Sequence, residues 1–168
     1  GLAGYISRQN TETTFIKTNG ETISININGD LVSSHYINEG ISKTDIQEVI
    51  IGANVTSIGD EAFYNCDVLQ TVTMLESVTF IDDYAFHSCI ALQSLTIGNS
   101  VTIIGDYAFS SCFALQSVTI GNNVLTIGFA AFVDCEALQT VIIPDSVTSI
   151  DGTAFGYSGI TTAYLSSN

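Results

Sequence analysis

Two apolar rhythms alternate along this chain. Segments such as Leu115-Gln116-Ser117-Val118-Thr119-Ile120 place apolar side chains at alternate residues, the period of a strand with one buried face. A few residues later, Val-Thr-x-Ile, as in Val101-Thr102-Ile103-Ile104, gives a second short extended piece. Gly98-Asn99 and Gly121-Asn122 supply the turn between the two. Asp-x-Ala-Phe-x-x-Cys then follows, with room for a single helical turn. Asp60, Asp83 and Asp106 stand ahead of it as expected N-cap carboxylates.

The whole block recurs. Ala-Phe falls at Ala62-Phe63, Ala85-Phe86, Ala108-Phe109, Ala131-Phe132 and Ala154-Phe155, a period of 23 residues without insertion. Cys66, Cys89, Cys112 and Cys135 keep the same period, as do Leu69, Leu92, Leu115 and Leu138, and Ile58, Ile81, Ile104, Ile127 and Ile150. Columns of this kind predict a solenoid, in which one unit cannot bury its oily face alone and is covered by the units before and after it. The expected fold is an α/β solenoid, mostly β, of about five coils in one domain, with Phe63, Phe86, Phe109 and Phe132 in one continuous pile.

The ends depart from the period. Residues 1–45 read as an N-terminal cap. Asn19-Gly20 lies between the alternating segments Phe15-Ile16-Lys17 and Thr22-Ile23-Ser24-Ile25-Asn26-Ile27, a strong hairpin signal. Ile23, Ile25 and Ile27 should face the first coil, and Thr22, Ser24 and Asn26 water. The repeats occupy 46–155, and 156–168 read as a C-terminal cap or truncation, because Ser158 replaces the Cys and Ile160 comes one residue early.

Stretches such as Ser100-Val101-Thr102-Ile103-Ile104-Gly105-Asp106-Tyr107-Ala108-Phe109-Ser110-Ser111-Cys112, and Leu138-Gln139-Thr140-Val141-Ile142-Ile143-Pro144-Asp145-Ser146-Val147, resemble the leucine-rich repeat superfamily and, more narrowly, its BspA-like class. The resemblance runs from about Ile46 to Phe155 and implies a right-handed superhelix. It also implies a surface or secreted adhesion or interaction module of bacteria or protists. The position that often holds a buried Asn ladder carries Asn54, Ser77, Ser100, Asn123 and Ser146, a mixed set expected to bond the turn backbone.

Charge narrows the partners. Seventeen acidic residues against three basic ones give a net charge of −14 over 168 residues. This disfavours nucleic acid, polyphosphate and anionic membranes as partners. With 46% hydrophobic residues the chain is too apolar for a disordered acidic tail. No run of 18 apolar residues and no signal-peptide pattern is found, so no membrane insertion is expected. The first residue is Gly1, which fits secretion, organelle import and an excised fragment alike.

Catalytic chemistry finds little support. The cysteine column would put neighbouring Cα atoms about 4.8 Å apart. That distance admits disulfides, although a column of buried reduced thiols is preferred, and one cysteine per coil does not make a zinc tetrahedron. His35 and His87 have no partner at ligand or general-base spacing. No nucleophile elbow, P-loop or dinucleotide fingerprint occurs, and no cofactor or metal is expected. Asn54-Val55-Thr56 is a single glycosylation sequon.

Outward columns are more informative. Phe80 and Ile103 stand where other repeats carry Ser57, Thr126 and Ser149. Tyr84 and Tyr107 take the column of Glu61, Ala130 and Thr153, and Ile90 and Phe113 that of Asp67 and Glu136. Adjacent bulky residues rimmed by acids are the expected partner surface. An alternative surface is the set Thr71, Thr73, Ser94, Thr96, Ser117 and Thr119, whose Thr-x-Thr pattern also suits water ordering in ice-binding solenoids. The expected function is non-enzymatic recognition or adhesion toward a protein or glycan partner, at the cell surface, outside the cell or in an organelle lumen. A structural subunit of a larger complex is the other class retained.

Overall fold

A computed structural model describes residues 11–165. Expectations that fall on residues 1–10 and 166–168 lie outside these. A wall of short parallel strands comprises β4 (Ile46–Ile50), β6 (Thr71–Thr73), β8 (Ser94–Thr96), β10 (Ser117–Thr119), β12 (Thr140–Ile143) and β14 (Thr162–Leu165). A second wall comprises β3 (Gly29–Leu31), β5 (Val55–Ile58), β7 (Phe80–Ile81), β9 (Ile103–Ile104), β11 (Thr126–Ile127) and β13 (Ser149–Ile150). The chain alternates between the walls, so six strands on each describe a mostly-β solenoid of about six turns.

That is one turn more than five Ala-Phe dipeptides suggest. The additional coil opens the stack, within the segment expected to be only a cap. There β3 pairs with β5 in parallel, Leu31 against Ile58, and the five-residue helix α1 (Ser33–Ile37) takes the place of the Ala-Phe segment. The spacing from Leu31 to Ile58 is four residues longer than the repeat, which hides this coil from a search for a fixed period. At the other end β14 pairs with β12 in register, Thr140 opposite Thr162, so the coil closes with one residue fewer.

β1 (Thr13–Lys17) and β2 (Thr22–Ile25) form an antiparallel pair. Its tight loop places Gly20 at φ +86°, a left-handed conformation that costs glycine little. β1, rather than β2, is the strand that joins the first wall, antiparallel to β4. Ile27 is buried, while Ile23 and Ile25 pack half-buried against the core.

Inside runs a file of rings. Phe63, Phe86, Phe109, Phe132 and Phe155 stack with centroids 5.1–5.2 Å apart and interplanar angles of 4–11°. Tyr36 of α1 continues the file at 5.7 Å from Phe63, and Phe15 of β1 packs on Tyr36 at 5.3 Å. The Tyr36 hydroxyl, buried where the others carry none, donates to the Ala62 carbonyl at 2.6 Å. Aligned rings follow from the constant spacing, because each coil offers its successor the same apolar socket.

The segment expected to be a helical turn is not helical. In each of the first regular coils two non-glycine residues take the left-handed region, such as Tyr84 at φ 56° and Ser88 at φ 58°. Consecutive N–H groups therefore point alternately along the coil and across it. Ala85 N bonds Asp82 O in its own coil at 3.3 Å, while Tyr84, Phe86 and Ser88 N–H donate to Asp106, Ala108 and Ser110 carbonyls of the next, at 2.9, 2.7 and 2.8 Å. This turn row is a third line of cross-coil hydrogen bonds. A left-handed residue costs on the order of 1 kcal/mol, and the bonds it aims at the neighbouring coil offset it.

Asp83 and Asp106 do not cap their own turns. Asp83 Oδ1 accepts from the Asp106 N–H and Asp106 Oδ1 from the Phe129 N–H, both at 2.8 Å, one coil on. The expected Asn/Ser ladder is also only partial. Asn123 Nδ2 donates to the Asn99 carbonyl at 2.6 Å, but Ser77 and Ser146 hydroxyls are buried without a hydrogen-bond partner.

Candidate interaction surface

Each coil presents three outward stretches: the first wall, the second wall and the turn row. Phe80 and Ile103 lie on the second wall as direct neighbours in β7 and β9. Phe80 is half-buried and Ile103 is 40% exposed. Tyr84 and Tyr107 begin the turn row, where left-handed backbone at both aims their rings along the stack. They lie face to face at 4.8 Å and 8°. Ile90 and Phe113 stand at the corner after the turn row, 43% and 45% exposed. So each pair is brought together by the repeat, with the Tyr pair next to the second wall and the Ile90/Phe113 pair at the far end of the row.

The alternative surface lies on the first wall. Thr71, Ser94, Thr96, Ser117 and Thr119 are exposed and Thr73 is half-buried. Ser117 pairs with Ser94 and Thr119 with Thr96. This wall is interrupted, however: β4 pairs with β6, β8 with β10, and β12 with β14. The second wall runs unbroken over all six strands.

Sequence reasoning missed how far the aromatic strip extends. Tyr64 stacks on His87 at 4.8 Å, His87 meets the edge of Tyr84 at 5.6 Å, and Phe129 meets Tyr107 edge-on at 5.4 Å. Tyr64 and His87 share one 23-residue column and Tyr84 and Tyr107 another, while Phe129 replaces the acid of the Asp60, Asp83 and Asp106 column. The signal was present as three separate columns; only the turn geometry joins them.

The profile of the BspA type leucine-rich repeat region, in six copies, matches residues 38–161. The chain belongs to that family. Among solved structures, this BspA-type repeat protein is 34% identical to a leucine-rich repeat protein from Bacteroides capillosus, over 54% of this chain and 64% of that one, with TM-score 0.51. A leucine-rich repeat protein of T. pallidum aligns at 23% identity over 81% of this chain and 66% of its own, with TM-score 0.63. A leucine-rich cell surface protein from Faecalibacterium prausnitzii aligns at 23% over 94% and 54%, with TM-score 0.57. The chain thus spans 54–66% of the length of these proteins. A comparison with curated proteins finds no match.

Inside the BspA-type repeat stack, all four cysteines are buried free thiols. Cys89, Cys112 and Cys135 Sγ donate to the Phe63, Phe86 and Phe109 carbonyls at 3.2–3.3 Å. Burial pushes the Cys66 and Cys135 thiols up to about 12, and Cys89 and Cys112 well above the usual thiol range. They are packing groups with a weak donor, not nucleophiles. His87 Nδ1 lies 2.9 Å from the Ser110 hydroxyl, and desolvation holds the imidazole below its usual pKa. His35 sits on α1, with Nδ1 3.1 Å from the Val32 nitrogen. Among the described residues no group of three or more His, Cys, Asp or Glu is placed to hold a metal ion, and no helix is long and apolar enough to cross a membrane.

Proposed function

We propose that this repeat stack is a non-enzymatic recognition module that presents a rigid surface to a protein partner, at the cell surface or outside the cell. The observation that carries this reading is the exposure of Ile90, Ile103 and Phe113 on consecutive coils, next to the stacked Tyr84 and Tyr107. These side chains do not serve the core, since the equivalent positions elsewhere are Asp67, Ser57 and Glu136 in coils that keep the same packing. Preorganised apolar groups on a rigid frame lose little entropy on binding. The cell surface as location is supported by the likeness to the Faecalibacterium cell surface protein and by the family.

The test uses the whole chain as bait for surface proteins, together with a double variant, Ile103→Ser with Phe113→Ser. Both positions are exposed, so the variant should keep the wild-type circular dichroism and melting midpoint. A partner that is retained by the wild type and lost by the variant supports the reading. Equal retention removes this surface from consideration, and capture of glycans in place of proteins replaces the partner class.

A further inference from the structure

The turn row changes character at its C-terminal end. The Asp60, Asp83 and Asp106 column gives way to Phe129 and then Gly152, while the column of Tyr84 and Tyr107 gives way to Ala130 and Thr153. Loss of the large side chains from two coils opens a groove of about 460 Å³ below Tyr107, walled by Phe129, Val133, Asp134 and Tyr157. Phe129 is held edge-on to Tyr107, and its N–H is fixed by Asp106 Oδ1. Tyr157 stands at φ 52° with 85% of its surface exposed.

We propose that this groove receives a lysine or arginine side chain of a partner protein. The inference rests on the reading of the chain as a protein-recognition module and names the chemistry of the partner. Tyr107, Phe129 and Tyr157 line the open groove together with the Asp134 carboxylate, surroundings that favour a cation over a neutral group of the same shape. The field of the whole chain, at −14, steers a basic segment to it. The chain itself shows the pairing at the other end of the same aromatic strip, where Lys43 Nζ sits 5.9 Å from the Tyr64 ring centroid and donates to the Tyr64 carbonyl at 3.2 Å. The described lysines, Lys17 and Lys43, both lie in the opening part of the chain, with Lys17 bound to Glu21 and Asp45. Neither of these two lysines lines the groove.

The test follows ring signals of the whole chain by NMR during titration with three probes: the peptide Gly-Gly-Arg-Gly-Gly, the same peptide with citrulline in place of arginine, and maltotriose. The arginine peptide should shift Tyr107, Phe129 and Tyr157 saturably, and citrulline should bind about tenfold more weakly. Tyr157→Ala, at an exposed site that leaves the fold intact, should weaken the arginine peptide about tenfold, and Asp134→Asn about threefold. Equal binding of citrulline, preference for maltotriose, shifts spread over acidic residues elsewhere, or unchanged affinity in Tyr157→Ala would each overturn the proposal. Because the probe is a small peptide, loss of the native partner in Ile103→Ser with Phe113→Ser leaves this result unaffected, so the two readings fail separately.

Discussion

The two walls are built from the same repeat and yet behave differently. On the second wall β5, β7, β9 and β11 bury Ile58, Ile81, Ile104 and Ile127, and the strands from β7 on are tied to the preceding coil on both sides. Thr79, Thr102, Leu125 and Thr148 N–H donate to the carbonyl of the residue 23 positions earlier at 2.8–2.9 Å. Beyond the strand, Asp82, Gly105 and Gly128 N–H donate to the carbonyls of Ile58, Ile81 and Ile104 at 2.8–2.9 Å. Hydroxyls of Thr79, Thr102 and Thr148 reinforce the same carbonyls at 3.1–3.3 Å. Gly105 belongs to this tight stacking, since a Cβ there would meet Asp82 and Asp83 backbone at 2.7 Å. On the first wall the residues that end the strands vary, from Met74-Leu75 to Ile97-Gly98 to Ile143-Pro144, and the strands pair in three separate pieces. The second wall keeps its ladder through all six strands although its corner varies between Gly59, Gly105 and Gly128 on one hand and Asp82 and Asp151 on the other, because the backbone bonds on both sides of the strand recur whichever residue stands there.

The largest effect should come from the ring file, which both walls share. Phe109→Ala removes the middle ring and is expected to cost about 3–5 kcal/mol in denaturant unfolding, with both walls lost together. Loss of signals from the first wall alone would show that the walls unfold independently. Native-state hydrogen exchange should sharpen the contrast. Thr102 and Gly105 amides on the second wall are expected to be protected about tenfold more than Thr96 on the first, and equal protection would make the interruption immaterial.

Side-chain changes divide in the same way. Thr102→Val deletes a hydroxyl–carbonyl bond on the second wall and should cost about 0.5–1.5 kcal/mol. Thr96→Val on the exposed first wall should stay within about 0.5 kcal/mol of zero. The melting midpoint should also depend on pH through His87, in the turn row. Its folded pKa lies below the ordinary value, so the unfolded chain binds more protons between the two. Stability from the neutral ring is complete above the ordinary histidine pKa of about 6.5 and is lost as pH falls through the depressed value. His87→Gln should flatten this slope in a thermal scan, and an unchanged slope would assign it elsewhere. Smallest of all is the expected thermal hysteresis, which should be nil because the threonines lie on the interrupted wall.

The sequence made much of this legible, for a physical reason: packing inside a stack recurs at whatever interval the chain recurs. Phe63 to Phe155 and Cys66 to Cys135 stand as their spacing predicts. The opening coil escaped because Tyr36 and α1 fill the apolar socket at a longer spacing. Asp-x-Ala-Phe-x-x-Cys contains no glycine to announce left-handed backbone at Tyr84 or Ser88, so the pattern alone predicts a single helical turn where the turn row stands. The same pattern predicts Asp83 and Asp106 as local caps, because their role as acceptors for Asp106 and Phe129 N–H depends on the coil beyond. The three outward pairs were legible as columns, but the strip from Tyr64 to Phe129 crosses columns and exists only once that backbone is known.

Each thiol of the cysteine column is sealed in the interior and held in its protonated form, one per regular coil. An alkylating reagent such as iodoacetamide should therefore leave the folded chain untouched and mark a given coil only when that coil opens. Mapping which of the four is carboxamidomethylated first would report, without any engineered probe, from which end the stack comes apart.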